Sequence, residues 1–167
     1  PPEDRFDRFT RIAAAAFDVP TALVSLVDTD RQWFKSRVGF DVRETPRSVA
    51  FCSHTIALDE LLVVSDTHRD ERFRDHPLVV GAPFIRFYAG QPVHSVDGQP
   101  LGTLCLIDQE PREFGDHEKR MLRDLAQMVQ DELNRGTLVA ARDAAQLALR
   151  ELNVQLERRV EDRTREL

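Results

Sequence analysis

Apolar side chains recur at steps of three and four over residues 3–17, where Phe6, Phe9, Ala13, Ala16 and Phe17 share one face of a predicted helix. Asp18-Val19-Pro20 ends it, because the residue before a proline is pushed out of the helical region. The period then drops to two. Ala22, Val24 and Leu26 alternate with Leu23, Ser25 and Val27, and after the polar turn Asp28-Thr29-Asp30 a second strand returns over residues 32–38, which predicts a hairpin. Residues 39–46 read as a loop. Val49, Phe51, His54, Thr55 and Leu58 lie near helical spacing, so residues 47–58 read as a short helix. Residues 61–65 form a continuously apolar strand, buried on both faces. A polar connection, 66–81, leads to strands 85–93 and 101–108, joined at Ser95-Val96-Asp97-Gly98 by an Asp-Gly turn signal.

From Asp116 onward there is no proline, and Gly136 is the only glycine. Asp116 caps a long helix whose first part carries Met121, Leu122, Leu125, Met128, Val129 and Leu133 as a core-facing stripe. Its later part places Ala145, Leu149, Leu152 and Leu156, then Val160, Thr164 and Leu167, at the spacing of a two-stranded coiled-coil seam. The second consecutive step of four, Leu156 to Val160, reads as a stutter. A helix of about 30 residues is about 45 Å long. With no core of its own, this segment is expected to pair with a copy of itself, giving a homodimer. The closely spaced strands imply an α/β (α+β) fold around a central antiparallel sheet of about five strands. The first and last helices cover one face, and the middle segments form a pocket on the other.

Charge narrows the range of partners. Residues 137–167 hold six Arg and six acidic side chains, so the net charge of -6 lies on residues 1–136. An acidic globular part argues against nucleic acid and against direct contact with an anionic membrane. No apolar run approaches the roughly 18 residues of a membrane span, and Pro1-Pro2-Glu3-Asp4 carries no signal-peptide pattern. Cys52 and Cys105 sit in apolar segments and read as reduced thiols, consistent with a cytoplasmic location.

Within apolar text the polar residues Arg37, His54, Asp66, Arg86 and Tyr88 stand out. Strand alternation puts Arg86 on one face with Phe84 and Tyr88, opposite Ile85 and Phe87. On a face bordering the pocket, Arg86 would hold an anionic ligand and Tyr88 would offer a hydroxyl. The competing reading is a structural ion pair of Arg86 with Asp66 or Asp70. Phe51 and His54, three apart, share a face of the short helix, beside Cys52. The candidate ligand-binding set is therefore Phe51, Cys52, His54, Asp66, Arg86 and Tyr88, suited to a small planar anion. Cys52 and His54 point about 200° apart on a helix and make a poor metal pair, and the other histidines lack zinc-like spacing, so no metal is expected.

The segments Ala22-Leu-Val-Ser-Leu-Val-Asp, Arg31-Gln-Trp-Phe-Lys-Ser-Arg-Val-Gly, Phe51-Cys-Ser-His-Thr-Ile, Ile85-Arg-Phe-Tyr-Ala-Gly and Gly102-Thr-Leu-Cys-Leu-Ile-Asp together resemble the GAF domain, a small-molecule-sensing module of bacterial signalling proteins. The tail from Leu156 resembles the helix leading into histidine kinase dimerisation domains. The resemblance implies a sensory domain, 1–135, and a signalling coiled-coil helix, 136–167, feeding an output domain such as a histidine kinase or diguanylate cyclase. On this reading the chain is a non-enzyme that binds an unknown small molecule and has no catalytic residue. Two alternatives remain: a structural dimerisation module without ligand, and an enzyme like the GAF proteins that reduce free methionine sulfoxide. The chain lacks the closely spaced cysteines of those reductases, a bilin-attaching cysteine in 66–84, and the Asn-Lys-Phe-Asp-Glu-like signature of cyclic-nucleotide binders.

Overall fold

The computed structural model describes residues 4–165. The chain divides into two compact units, Pro1–Asp131 and Glu132–Leu167.

In the first unit, helix α1 (Asp4–Phe17) precedes strands β1 (Thr21–Val27), β2 (Arg31–Val38) and β3 (Glu44–Pro46). Helix α2 (Phe51–Leu58), strand β4 (Leu62–Val64) and the four-residue helix α3 (Pro77–Val80) form the middle. Strands β5 (Phe87–His94) and β6 (Pro100–Asp108) follow, and α4 (Asp116–Arg165) carries Asp116 and Glu118 in its first turn. The sheet is antiparallel, in the order β3-β2-β1-β6-β5-β4. It has six strands rather than about five. The extra one is β3, three residues of the expected loop that pair with β2 through Arg31, Gln32 and Trp33.

β1 and β6 occupy the middle of the sheet, and their apolar residues are buried on both faces. Leu23, Phe34, Phe51, Phe73, Ile85, Tyr88, Cys105 and Ile107 pack into one cluster under α2 and the middle segments. On the other side Phe87 and Phe17 both meet the Phe114 ring, at 5.6 Å each, beside α1 and the start of α4. Leu122, Leu125, Ala126 and Val129 of α4 are buried. Gly39, at φ +70°, closes the β2 end, where any Cβ would come within 1.9 Å of the Pro20 carbonyl oxygen.

A register shift between Val24 and Ser25 sets the faces of β2. Ser36 pairs with Val24 and Phe34 with Ser25, leaving Lys35 as an extra residue. Phe34 therefore packs in the cluster under α2, while Ser36, two residues on, bonds Thr10 and Asp7 of α1. The neighbouring Trp33 is half-buried, with the Lys35 ammonium 5.9 Å from its ring.

The second unit is helical through Arg165. Leu149, Leu152, Leu156 and Val160 of the expected seam are exposed. Leu167, its last member, and Glu3, the first residue of the expected N-terminal helix, lie outside the described residues. No described helix is long and apolar enough to cross a membrane.

Candidate functional site

The six candidate residues fall into two groups. Phe51, Cys52 and Tyr88 are buried together. The Phe51 ring stacks on Phe73 at 4.6 Å and lies 5.2 Å from Tyr88. His54, exposed, sets its ring edge against the same Phe73 at 4.8 Å, as the three-residue spacing requires. The Tyr88 hydroxyl is taken by Thr55 Oγ1 at 2.8 Å and by Cys52 Sγ at 3.4 Å. Burial pushes its pKa well up, so the phenol keeps its proton.

Arg86 and Asp66 form the second group. Nε and Nη2 of Arg86 donate to both Asp66 oxygens at 3.1–3.2 Å. Burial alone would raise the Asp66 carboxyl; the His68 backbone N–H and Arg86 outweigh it and hold the carboxyl below the usual range. The backbone is tied at the same place, since Thr67 N donates to Arg86 O at 2.8 Å and Thr67 Oγ1 to Ile85 O at 2.7 Å. Asp66 is thus the partner, while Asp70 is engaged by Arg72 at 2.7 Å.

The expected alternation around Arg86 does not hold. β5 begins only at Phe87, and Ile85 packs in the same cluster as Tyr88 instead of opposite it. Phe84, at φ +60°, is exposed. The irregular stretch before the strand breaks the two-residue period on which the shared face of Arg86 and Tyr88 rested.

Next to Phe51, Cys52 and Tyr88 the free space is only about 20 Å³, about one water. The protein's own side chains fill the expected pocket. A cleft of about 630 Å³ lies elsewhere, between α1, β2 and β3, lined by Arg11, Trp33, Lys35, Arg37, Arg43 and Glu44 among others. Of these, sequence reasoning singled out only Arg37. The rest come from three separated segments with no shared motif.

Thr103, Gln32, Ser25 and Thr55 around Cys52 were also missed. Thr103 Oγ1 lies 3.1 Å from its sulfur, Gln32 Nε2 3.5 Å, and Cys105 Sγ 3.7 Å. Ser25 Oγ bonds Thr103 Oγ1 at 2.8 Å, and Thr55 holds Tyr88. A signal existed, because Thr103 and Cys105 sit two apart and share a face of β6.

The GAF domain profile matches residues 1–133. A cyclic di-GMP phosphodiesterase of Pseudomonas aeruginosa is 41% identical over 128 residues, 76% of this chain. The chain spans 22% of that relative's length. Among solved structures, the GAF domain of an Acinetobacter phosphoenolpyruvate-protein phosphotransferase superposes with a TM-score of 0.64 at 17% identity, over 85% of this chain and 84% of that one. A free methionine-R-sulfoxide reductase of Neisseria meningitidis gives 0.63 at 20% identity, over 78% of each chain. The expectation of a non-enzyme is corrected by these relatives: the curated one is named as a phosphodiesterase and the Neisseria protein as a reductase. With its profile match over residues 1–133 and its six-stranded antiparallel sheet flanked by helices, this chain belongs to the GAF domain family.

Proposed function

We propose that this chain is the sensory input of a longer bacterial signalling protein, dimeric through the second unit. The observation that carries this is α4 itself. One continuous helix, Asp116–Arg165, buries Leu122, Leu125 and Val129 and exposes Leu149, Leu152, Leu156 and Val160. A stripe at coiled-coil spacing without a core suits a second copy of the same helix. A ligand that favours one packing around the start of α4 would bias that dimer and whatever follows it. The phosphodiesterase relative supports an enzyme of cyclic di-GMP turnover as the output; the tail pattern from Leu156 supports a histidine kinase. A cytoplasmic location suits either.

The test is sedimentation of the full chain at micromolar concentration. Leu152→Asp buries a carboxylate against its copy and should weaken the dimer by more than tenfold, whereas the solvated Arg158→Asp should change it little. Equal effects of the two substitutions would overturn the register.

For the ligand, Arg86 is the anchor if the 66–84 segment opens and Arg86 exchanges Asp66 for a small planar anion, flanked by Phe51, His54 and Tyr88. A second reading is favoured by volume: the 630 Å³ cleft has room for an anionic molecule beside Arg37, Arg43 and Trp33. Thermal-shift screening of anionic metabolites separates the two, since a true ligand stabilises the fold. Loss of that stabilisation in Arg86→Ala supports the first location, and loss in Arg43→Ala the second. No stabilisation by any compound supports a dimerisation module without ligand.

A further inference from the structure

Two thiols meet in the core of the first unit. α2 lays Cys52 over the sheet with its Sγ 3.7 Å from Cys105 Sγ on β6. The two residues are 2% and 0% exposed. Cys105 sits in a row across the sheet between Leu23 on β1 and Gly90 on β5. Gly90 is what makes room above it, because a Cβ there would come within 2.3 Å of the Tyr88 hydroxyl and 3.0 Å of Thr55 Oγ1.

The surroundings of Cys52 exceed what packing a small thiol needs. Thr103, Tyr88 and Gln32 all aim a donor at its sulfur, and the Cys105 sulfur lies 3.7 Å away. Cys52 also lies in the first turn of α2, where free backbone N–H groups favour negative charge. The interaction with Cys105 and the hydroxyls pull the Cys52 thiol down against its burial, while the same neighbour and burial push Cys105 up. The pair is asymmetric: one sulfur is prepared as a nucleophile and the other keeps its proton. No cluster of three metal-ligating side chains occurs among the described residues.

We propose that Cys52 and Cys105 are a redox-active dithiol, which a small peroxide oxidises to an intramolecular disulfide within the core. The 20 Å³ hollow beside Cys52, lined by Phe40, Val49 and Leu78 on its outer side, matches an oxidant little larger than water. The Cys52 thiolate attacks one peroxide oxygen and the O–O bond breaks. Cys52 becomes a sulfenic acid, and the departing hydroxide takes up the proton Cys52 had released and leaves as water. The Cys105 sulfur then attacks the Cys52 sulfur. The S–OH bond breaks, the S–S bond forms, and hydroxide leaves with the Cys105 proton as a second water. Two thiols and one peroxide give one disulfide and two waters; sulfur loses two electrons and the peroxide oxygens gain them. The sulfurs must close by about 1.7 Å to reach a bond of about 2.05 Å, within reach of side-chain rotation and a small shift of α2.

The experiment treats the full chain with hydrogen peroxide, quenches it, unfolds it in an alkylating agent and weighs it intact. Free glutathione in the same tube calibrates the dose. The wild-type chain should lose the mass of two hydrogens, take up no alkyl group and stay monomeric on a non-reducing denaturing gel; dithiothreitol should restore both thiols. Cys105→Ser should stop at a sulfenic acid that dimedone traps, and Cys52→Ser should remain reduced. Thr103→Val should slow bridging, because it removes the hydroxyl 3.1 Å from the Cys52 sulfur that favours its thiolate. The wild-type readout needs no variant to fold. Two alkylated thiols after glutathione is spent, a bridge between chains, or over-oxidation without a bridge would each overturn the proposal.

Discussion

Replacing Arg86 by alanine tests whether the residue most expected to hold a ligand is instead part of the scaffold. The wild-type pair has three hydrogen bonds at 3.1–3.2 Å, with side chains 29% exposed for Arg86 and 16% for Asp66. Removing one partner of a fully buried pair costs about 3–5 kcal/mol, and an exposed pair contributes about 0.2–1 kcal/mol. This pair lies between those limits. Asp66 would keep the His68 backbone N–H at 3.1 Å, so its carboxylate would not be orphaned. A loss of about 2 kcal/mol follows from interpolating those limits, or roughly 6–8 °C in Tm for a domain of this size. Urea unfolding of wild type, Arg86→Ala, Asp66→Ala and the double variant at pH 7 would measure it, with a coupling energy of about 1–2 kcal/mol. The pH dependence supplies a sign. The folded Asp66 carboxyl is depressed, so its contribution is fully present above the unfolded value of about 3.9 and is lost as pH falls below it. The difference between wild type and Arg86→Ala should therefore shrink from pH 7 to pH 3. A loss under about 0.5 kcal/mol, zero coupling, or a difference that grows on acidification would refute the scaffold argument.

Phe73→Ala should cost about 3–4 kcal/mol in the same urea assay, because the ring is fully buried, stacked on Phe51 and edged by His54. An effect under about 1 kcal/mol would mean that the 66–84 segment is not packed on α2 as described. Gly39→Ala should cost more than about 1 kcal/mol, from its positive φ and the Pro20 carbonyl in the Cβ position; calorimetry would show a stability near wild type if that backbone were free to move.

Local pattern was enough for most of the elements, β3 excepted. The two-residue period located β1, the Asp97-Gly98 signal before β6 became a turn with Gly98 at φ +80°, and the helical period found α1 and a core stripe of which Leu122, Leu125 and Val129 are buried while Met128 is exposed. These features depend on neighbours a few residues away, so one chain segment suffices to read them. The shared face of Phe51 and His54 was legible for the same reason.

The site was decided by contacts that sequence spacing does not encode. The bulge at Lys35 turns Phe34 and Ser36 to opposite faces, although strict alternation puts them together. Arg86 had two acidic candidates in sequence, and only the path of the chain between β4 and β5 selects Asp66, 20 residues away. The meeting of Cys52 and Cys105 spans 53 residues and needs α2 lying across the β1–β6–β5 row, with Gly90 leaving space for Tyr88. Periodicity says which way a side chain points from its own element. Which element lies opposite it follows from sheet order and register, and those are settled only when the whole core closes.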